Sequence, residues 1–165
     1  MRLDTKEIHE YQQNRYPYLL VDVAEEVVPG ISAKGYKNLS INDWFFDCHF
    51  PGDPNMPGML QIEAMIQLCA LAILTLDGNK GKVAYLSSAS NLKWSRKVVP
   101  GDRFDMDTKL VSFKRGIGRC TGIGSVNGEL SCKADFTLVL PHVLDEYKVE
   151  KKNRLIERRA YVTTG

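Results

Sequence analysis

"PGMLQIEAMIQLCALAILTLDGN", residues 57 to 79, decides how the rest of this chain folds. Pro57 suits a first helical turn, no glycine or proline follows from Met59 to Asp77, and Asp77-Gly78-Asn79 supplies a stop. The spacing predicts a helix over Met59 to Asp77, about 30 Å long at 1.5 Å per residue. Leu60, Ile62, Met65, Leu68, Leu71 and Ile73 distribute around all its sides. A helix without a solvated face has to be enclosed by something else.

The flanking sequence supplies the enclosure. Tyr18 to Val28 is rich in Leu and Val, and Pro29-Gly30 punctuates it, so a hairpin into Ile31 to Ser40 is expected. In Arg103 to Ser112, Phe104, Met106, Thr108 and Leu110 alternate with Arg103, Asp105, Asp107 and Lys109. Glu129 to Leu140 places Leu130, Cys132, Ala134, Phe136, Leu138 and Leu140 on one side. Such alternation marks an antiparallel sheet with one face on a core. Asn127-Gly128 is a two-residue hairpin signal joining the last two strands. The fold class expected is α+β, a long central helix wrapped by a curved antiparallel sheet of about five or six strands; that is the hot-dog architecture in outline, an inventory that other α+β layers share.

The 165 residues carry 44% hydrophobic and 25% charged side chains, an ordinary composition for a globular protein. Residues 1–140 are expected to form one domain. After Pro141 the chain turns charged and mostly basic, so 141–165 is expected to be an extension, helix or tail, and not a second domain. A formal net charge of +2 gives no argument for nucleic acid. "MRLDTKEIHEYQQ" does not resemble a leader, and the longest nearly apolar run, Ala64 to Leu76, is short of the ~20 residues of a bilayer span. The expectation is a cytoplasmic protein with neither membrane nor nucleic acid as partner. Cys48, Cys69, Cys120 and Cys132 show no CxxC pairing or metal spacing and are expected as free buried thiols.

Three polar residues interrupt the apolar helix: Gln61, Glu63 and Gln67. Glu63 and Gln67 lie four apart on one face, so the amide can hydrogen-bond the carboxyl without neutralising it. Burial would raise the Glu63 pKa and leave a proton for donation near neutral pH. The plainer reading takes Glu63 to the sheet edge or solvent as half of an ion pair. Upstream, "FFDCHFPGDPNMPGM" (45–59) holds His49 among prolines and glycines. His49 is either a structural ring packed near Phe46 and Phe50, or a base held toward a substrate. Gly58 opens the helix, where unsatisfied N–H groups and the dipole favour a developing negative charge. Having no side chain, it lets a ligand carbonyl approach. Base, acid and oxyanion donor are the parts needed to take a proton beside a carbonyl and expel a β-hydroxyl.

"WFFDCHFPGDPNMPGMLQIEAMIQL" (Trp44 to Leu68) resembles the active-site segment of the 3-hydroxyacyl-acyl-carrier-protein dehydratases, the FabA/FabZ hot-dog family. "RYPYLLVD" (15–22), "VVPGDRF" (98–104) and "VNGEL" (126–130) are similar to other segments of that family. The resemblance implies dehydration of (3R)-3-hydroxyacyl thioesters on acyl carrier protein to trans-2-enoyl thioesters. It implies catalytic His49 and Glu63, a carbonyl-polarising Gly58 and a carboxyl-orienting Gln67. It further implies a homodimer, or a higher oligomer, whose active sites combine the histidine of one chain with the acid of the other, and no cofactor or metal. Lys93, Arg96 and Lys97 are candidates for docking an acidic carrier protein, or simply part of a solvated basic face. Cys48 and Asp53-Pro54 match the dehydratase-isomerase branch, whereas Glu63 matches the dedicated dehydratases. A dehydratase-isomerase, an acyl thioesterase and a non-catalytic hot-dog acyl-binding module are the alternatives.

Overall fold

The computed structural model describes residues 1–163, with side-chain exposure through residue 155. The predicted helix is present as α2, Gly58–Leu74, and thirteen of its residues are buried. It stops three residues before the expected Asp77. The Thr75 hydroxyl and amide both turn back onto the Leu71 carbonyl, which closes the last turn early.

Around α2 runs a six-stranded antiparallel sheet in the order β1-β2-β4-β5-β6-β3. Its strands are β1 (Val23–Val28), β2 (Ser32–Asn38), β3 (Tyr85–Trp94), β4 (Arg103–Lys114), β5 (Ile117–Val126) and β6 (Glu129–Val139). The helix lies on one face of it, packed against β1, β2, β4, β5 and β6. This is the hot-dog fold, as the apolar periodicity predicts.

The alternation of β4 holds without exception: Phe104, Met106, Thr108 and Leu110 are all buried. Thr108 satisfies its hydroxyl by donating to the Ala33 carbonyl at 2.8 Å. In β6 the pattern breaks at one place. Gly124 pairs with Cys132 and Ser125 with Leu130, so a bulge at Ser131 reverses the facing of the residues before it. Leu130, expected inside, is exposed, and Ser131 takes the inward position. Asn127 and Gly128 both have positive φ (51° and 78°), the backbone that a tight β5–β6 hairpin requires.

The first hairpin is shorter than expected. Leu20 directs its N–H to the Gln67 side chain and not to a strand partner, so residues 18–22 form a loop over α2 and β1 begins at Val23. Two elements escape the sequence reading. Helix α1 (Thr5–Tyr11) starts on a capping box in which Asp4 and Glu7 each accept the other's backbone N–H, and it buries Ile8. Strand β3 is exposed along nearly its whole length. The last described element is helix α3, Pro141–Thr163. Among the described residues no helix is long and apolar enough to cross a membrane.

Candidate active site

A short 3-10 turn, Trp44–Asp47, carries the chain into the His49 loop by burying Phe45 and Phe46. The loop closes on itself. The amides of Phe50 and Asp53 each donate to the other's carbonyl, at 3.1 and 2.9 Å, around a left-handed Gly52. Asn55 donates its N–H to the His49 carbonyl at 3.0 Å, and its own carbonyl lies 2.9 Å from His49 Nδ1. That carbonyl can only accept, so Nδ1 carries a proton, and in the neutral tautomer this leaves the lone pair on Nε2. The ring is half-buried and stacks on exposed Phe50 with centroids 3.9 Å apart; the peptide between them is cis.

From Asn55 onward the loop is anchored to the sheet side. Met56 is fully buried and donates its N–H to Val98 at 2.7 Å. Gln61, buried on α2, reaches back to the Met56 carbonyl with its Nε2 while its Oε1 accepts from Ser131. The β6 bulge that turns Ser131 inward thus holds the start of α2.

The first turn of α2 has no side-chain cap and no acidic residue. Leu60 and Gln61 donate their N–H groups to Pro57, whereas those of Gly58 and Met59 have no partner among the described residues. The Gly58 carbonyl accepts from Trp94 Nε1 at 3.0 Å. A Cβ at Gly58 would stand 2.6 Å from that nitrogen, so any other residue collides with the indole. Nothing in the sequence signals Trp94, whose hydrogen bond to Gly58 joins residues 36 apart in the chain.

One turn further, Glu63 Oε1 accepts from Gln67 Nε2 at 2.9 Å. Gln67 is buried, and its amide orientation is fixed from the other side. Its Oε1 accepts from Leu20 N–H at 2.8 Å and its Nε2 also donates to the Tyr18 carbonyl at 2.8 Å. Burial raises the Glu63 pKa above the usual carboxylate range, and the Gln67 hydrogen bond only partly opposes it. The Glu63 carboxyl makes no ion pair with a described residue. It opens into a cavity of about 340 Å³ shared with Tyr18, Ile66, Gln67, Ala70, Leu74, Tyr85 and Leu86. His49 does not line that cavity.

The basic residues divide. Arg96 is held by Glu129 at 2.9 Å and Asp102 at 3.7 Å, and also donates to the Lys97 carbonyl. Lys97 pairs with Asp53 of the His49 loop. Lys93 lies on exposed β3. All four cysteines are free; Cys48 is exposed, contrary to expectation, because the turn before it spends its buried positions on Phe45 and Phe46. Burial pushes the Cys132 thiol up to about 12. Among the described residues no cluster of three His, Cys, Asp or Glu side chains is placed to hold a metal.

Fold and site together define a hot-dog protein that carries a histidine with a free Nε2, a half-buried carboxyl and an uncapped helix start. By sequence the chain belongs to the FabA-like family, whose domain model matches residues 13–135. A Clostridium novyi protein named 3-hydroxyacyl-acyl-carrier-protein dehydratase FabZ is 47% identical over 135 residues, 82% of this chain and 95% of the relative. The Bacillus subtilis protein of the same name is 41% identical over 138 residues, covering 84% and 98%. In three dimensions the chain is similar to the dehydratase heterocomplex ApeI:P from Xenorhabdus doucetiae, with TM-score 0.69 at 15% identity over 81% of this chain and 90% of that one.

Proposed function

We propose that this protein is a 3-hydroxyacyl-acyl-carrier-protein dehydratase that removes water from (3R)-3-hydroxyacyl thioesters to give trans-2-enoyl thioesters. The observation that carries the reading is the hydrogen-bond setting of two groups, His49 and Glu63. Asn55 holds a proton on His49 Nδ1, so in the neutral tautomer Nε2 is the nitrogen that serves as a base. Burial raises the Glu63 pKa, which favours the protonated carboxyl that a general acid needs. His49 Nε2 takes the proton from C2, and the electron pair moves into the thioester carbonyl, whose oxygen is held by the Gly58 N–H and the α2 dipole. As the carbonyl re-forms, the C3–O bond breaks and Glu63 gives its proton to the departing hydroxyl. One water leaves. The imidazolium then returns its proton, through solvent, to the carboxylate.

The working unit is a dimer in which His49 of one chain faces Glu63 of the other. In support, the cavity that Glu63 enters is bordered by Tyr85 and Leu86 of β3 and not by His49. Strand β3 is an open sheet edge with exposed Tyr85, Leu86, Leu92 and Trp94, a surface suited to pairing with a second copy. Lys93 on that strand is the carrier-docking candidate left without an ion pair among the described residues; Arg96 and Lys97 are engaged within the chain.

Purified His49→Ala and Glu63→Gln proteins are expected to remain folded and dimeric and to lose hydration of a crotonyl thioester. Full activity in either variant would overturn the assignment. A thioesterase would instead release free thiol from an acyl thioester with the hydroxyl retained.

A further inference from the structure

Gln61 is the one polar residue inside the apolar helix that the acid, the base and the carboxyl-orienting amide leave without a part in the reaction. Both polar atoms of its buried side chain are used. Nε2 donates to the Met56 carbonyl at 3.1 Å, and Oε1 accepts from the Ser131 hydroxyl at 2.9 Å. Gln61, Met56 and Ser131 are all buried, so the three form a hydrogen-bonded relay inside the protein, from the β6 bulge to the His49 loop. A carbonyl can only accept, so the Met56 oxygen fixes which end of the amide faces the loop.

The relay ends on the two peptide planes that flank the Met56 Cα. The plane before it carries the Asn55 carbonyl, 2.9 Å from His49 Nδ1, and the Met56 N–H, which donates to Val98 at 2.7 Å. The plane after it carries the Met56 carbonyl and the nitrogen of Pro57, which has no proton to donate. Among the described residues, Gln61 is the only hydrogen-bond partner of that second plane. The Pro57 ring then restricts φ, here −50°, and the Pro57 carbonyl accepts the backbone N–H groups of Leu60 and Gln61. The next N–H along the chain belongs to Gly58. One side chain therefore grips the backbone midway between the carbonyl that orients the imidazole and the free N–H at the helix start.

We propose that Gln61 is a positioning residue: by fixing the Met56–Pro57 peptide it aims the Asn55 carbonyl at His49 and the Gly58 N–H at the substrate's carbonyl oxygen together. The proposal rests on the dehydratase reading above for its substrate, whereas its claim on the His49 ring stands without it. Gln61 acts only through the backbone and touches no reacting atom. Methionine at this position fills the same space without the amide. Ser131 then still has the Arg96 carbonyl within 3.4 Å, but the Met56 carbonyl has no other donor and the peptide is free to turn.

The test compares Gln61→Met and Ser131→Ala with wild type, and with Thr108→Val as a control for lost stability alone. Thr108 is buried on β4 and donates to Ala33, away from the loop. Crotonyl-CoA hydration is measured at a temperature where every variant is folded, and nitrogen NMR of the imidazole reads the His49 tautomer. Gln61→Met is expected to lower kcat on the order of 10²-fold with KM unchanged, the effect of misplacing reacting groups by about 1 Å. It should also move the neutral ring from the Nδ1–H toward the Nε2–H tautomer. Ser131→Ala, which keeps the amide donor but loosens it, should change both readouts in the same direction and by less. Thr108→Val should lower Tm and leave kcat and tautomer as in wild type. A wild-type kcat or a wild-type tautomer in Gln61→Met would overturn the proposal. So would a Thr108→Val protein that loses kcat in the same proportion to its Tm. If Gln61→Met does not fold, Ser131→Ala decides by the same two readouts. If wild type fails on crotonyl-CoA, the dehydratase reading falls separately, and the tautomer alone decides whether Gln61 positions the ring.

Discussion

Gln67→Met tests how the carboxyl of Glu63 is held. Methionine keeps the length and removes both polar atoms of the amide. Three hydrogen bonds disappear, those to Leu20 N–H, the Tyr18 carbonyl and Glu63 Oε1. The Leu20 amide is buried with no alternative partner, and an orphaned buried donor costs about 1–3 kcal/mol. The Tyr18 carbonyl is only partly buried and adds less. A total near 2 kcal/mol corresponds to a Tm about 4–8 °C lower for a chain of this size. The effect on the carboxyl has a definite sign. The amide donates to Glu63 and so stabilises its charged form; without it the Glu63 pKa rises further. The alkaline limb of kcat/KM, where the general acid loses its proton, should therefore move to higher pH, while kcat falls about tenfold because the carboxyl is no longer aimed. Calorimetry and a pH profile with crotonyl thioester measure both. A wild-type Tm, or an alkaline limb that shifts to lower pH, would refute the reasoning.

Gly58→Ala forces the Trp94 indole back by roughly 1 Å to reach ordinary contact distance. Turnover should fall about 10²-fold as the oxyanion donor shifts, and pairing the change with Trp94→Ala should recover stability non-additively in a double-mutant cycle. Glu63→Gln removes a carboxyl whose folded pKa is raised, so the wild type has its full relative stability below the unfolded value of 4.5 and loses it as pH rises through the folded pKa. The Tm of the variant minus that of wild type should therefore increase from pH 4 to pH 7; a decrease would contradict a raised pKa.

The apolar helix and the alternation of β4 could be read from residues alone because one physical constraint, burial on a known period, governed each. Strand β3 could not. "YLSSASNLKW" is exposed on both sides of the chain, so no face imposes an alternation, and it is recognisable only as the neighbour of β6. Helix α1 left a readable trace in the Asp4–Glu7 capping box, but with Ile8 as its one buried residue it carries no apolar period. The β6 bulge had no local signature: Ser131 turns inward because Gln61 awaits it across the core. At the site, the i, i+4 spacing revealed Glu63 with Gln67. It could not reveal that Leu20 and Tyr18 fix the amide, or that Trp94 excludes a side chain at Gly58, since those contacts join segments distant in sequence.

The central claim is that His49 of one subunit works with Glu63 of the other, and mixing two inactive proteins tests it most directly. His49→Ala and Glu63→Gln are combined one to one, unfolded, refolded together and assayed for crotonyl thioester hydration. If the site is shared, each mixed dimer contains one site with both wild-type residues, and random pairing restores about a quarter of wild-type activity. If each chain carries its own complete site, no intact pair can form, and the mixture will stay as inactive as its two components.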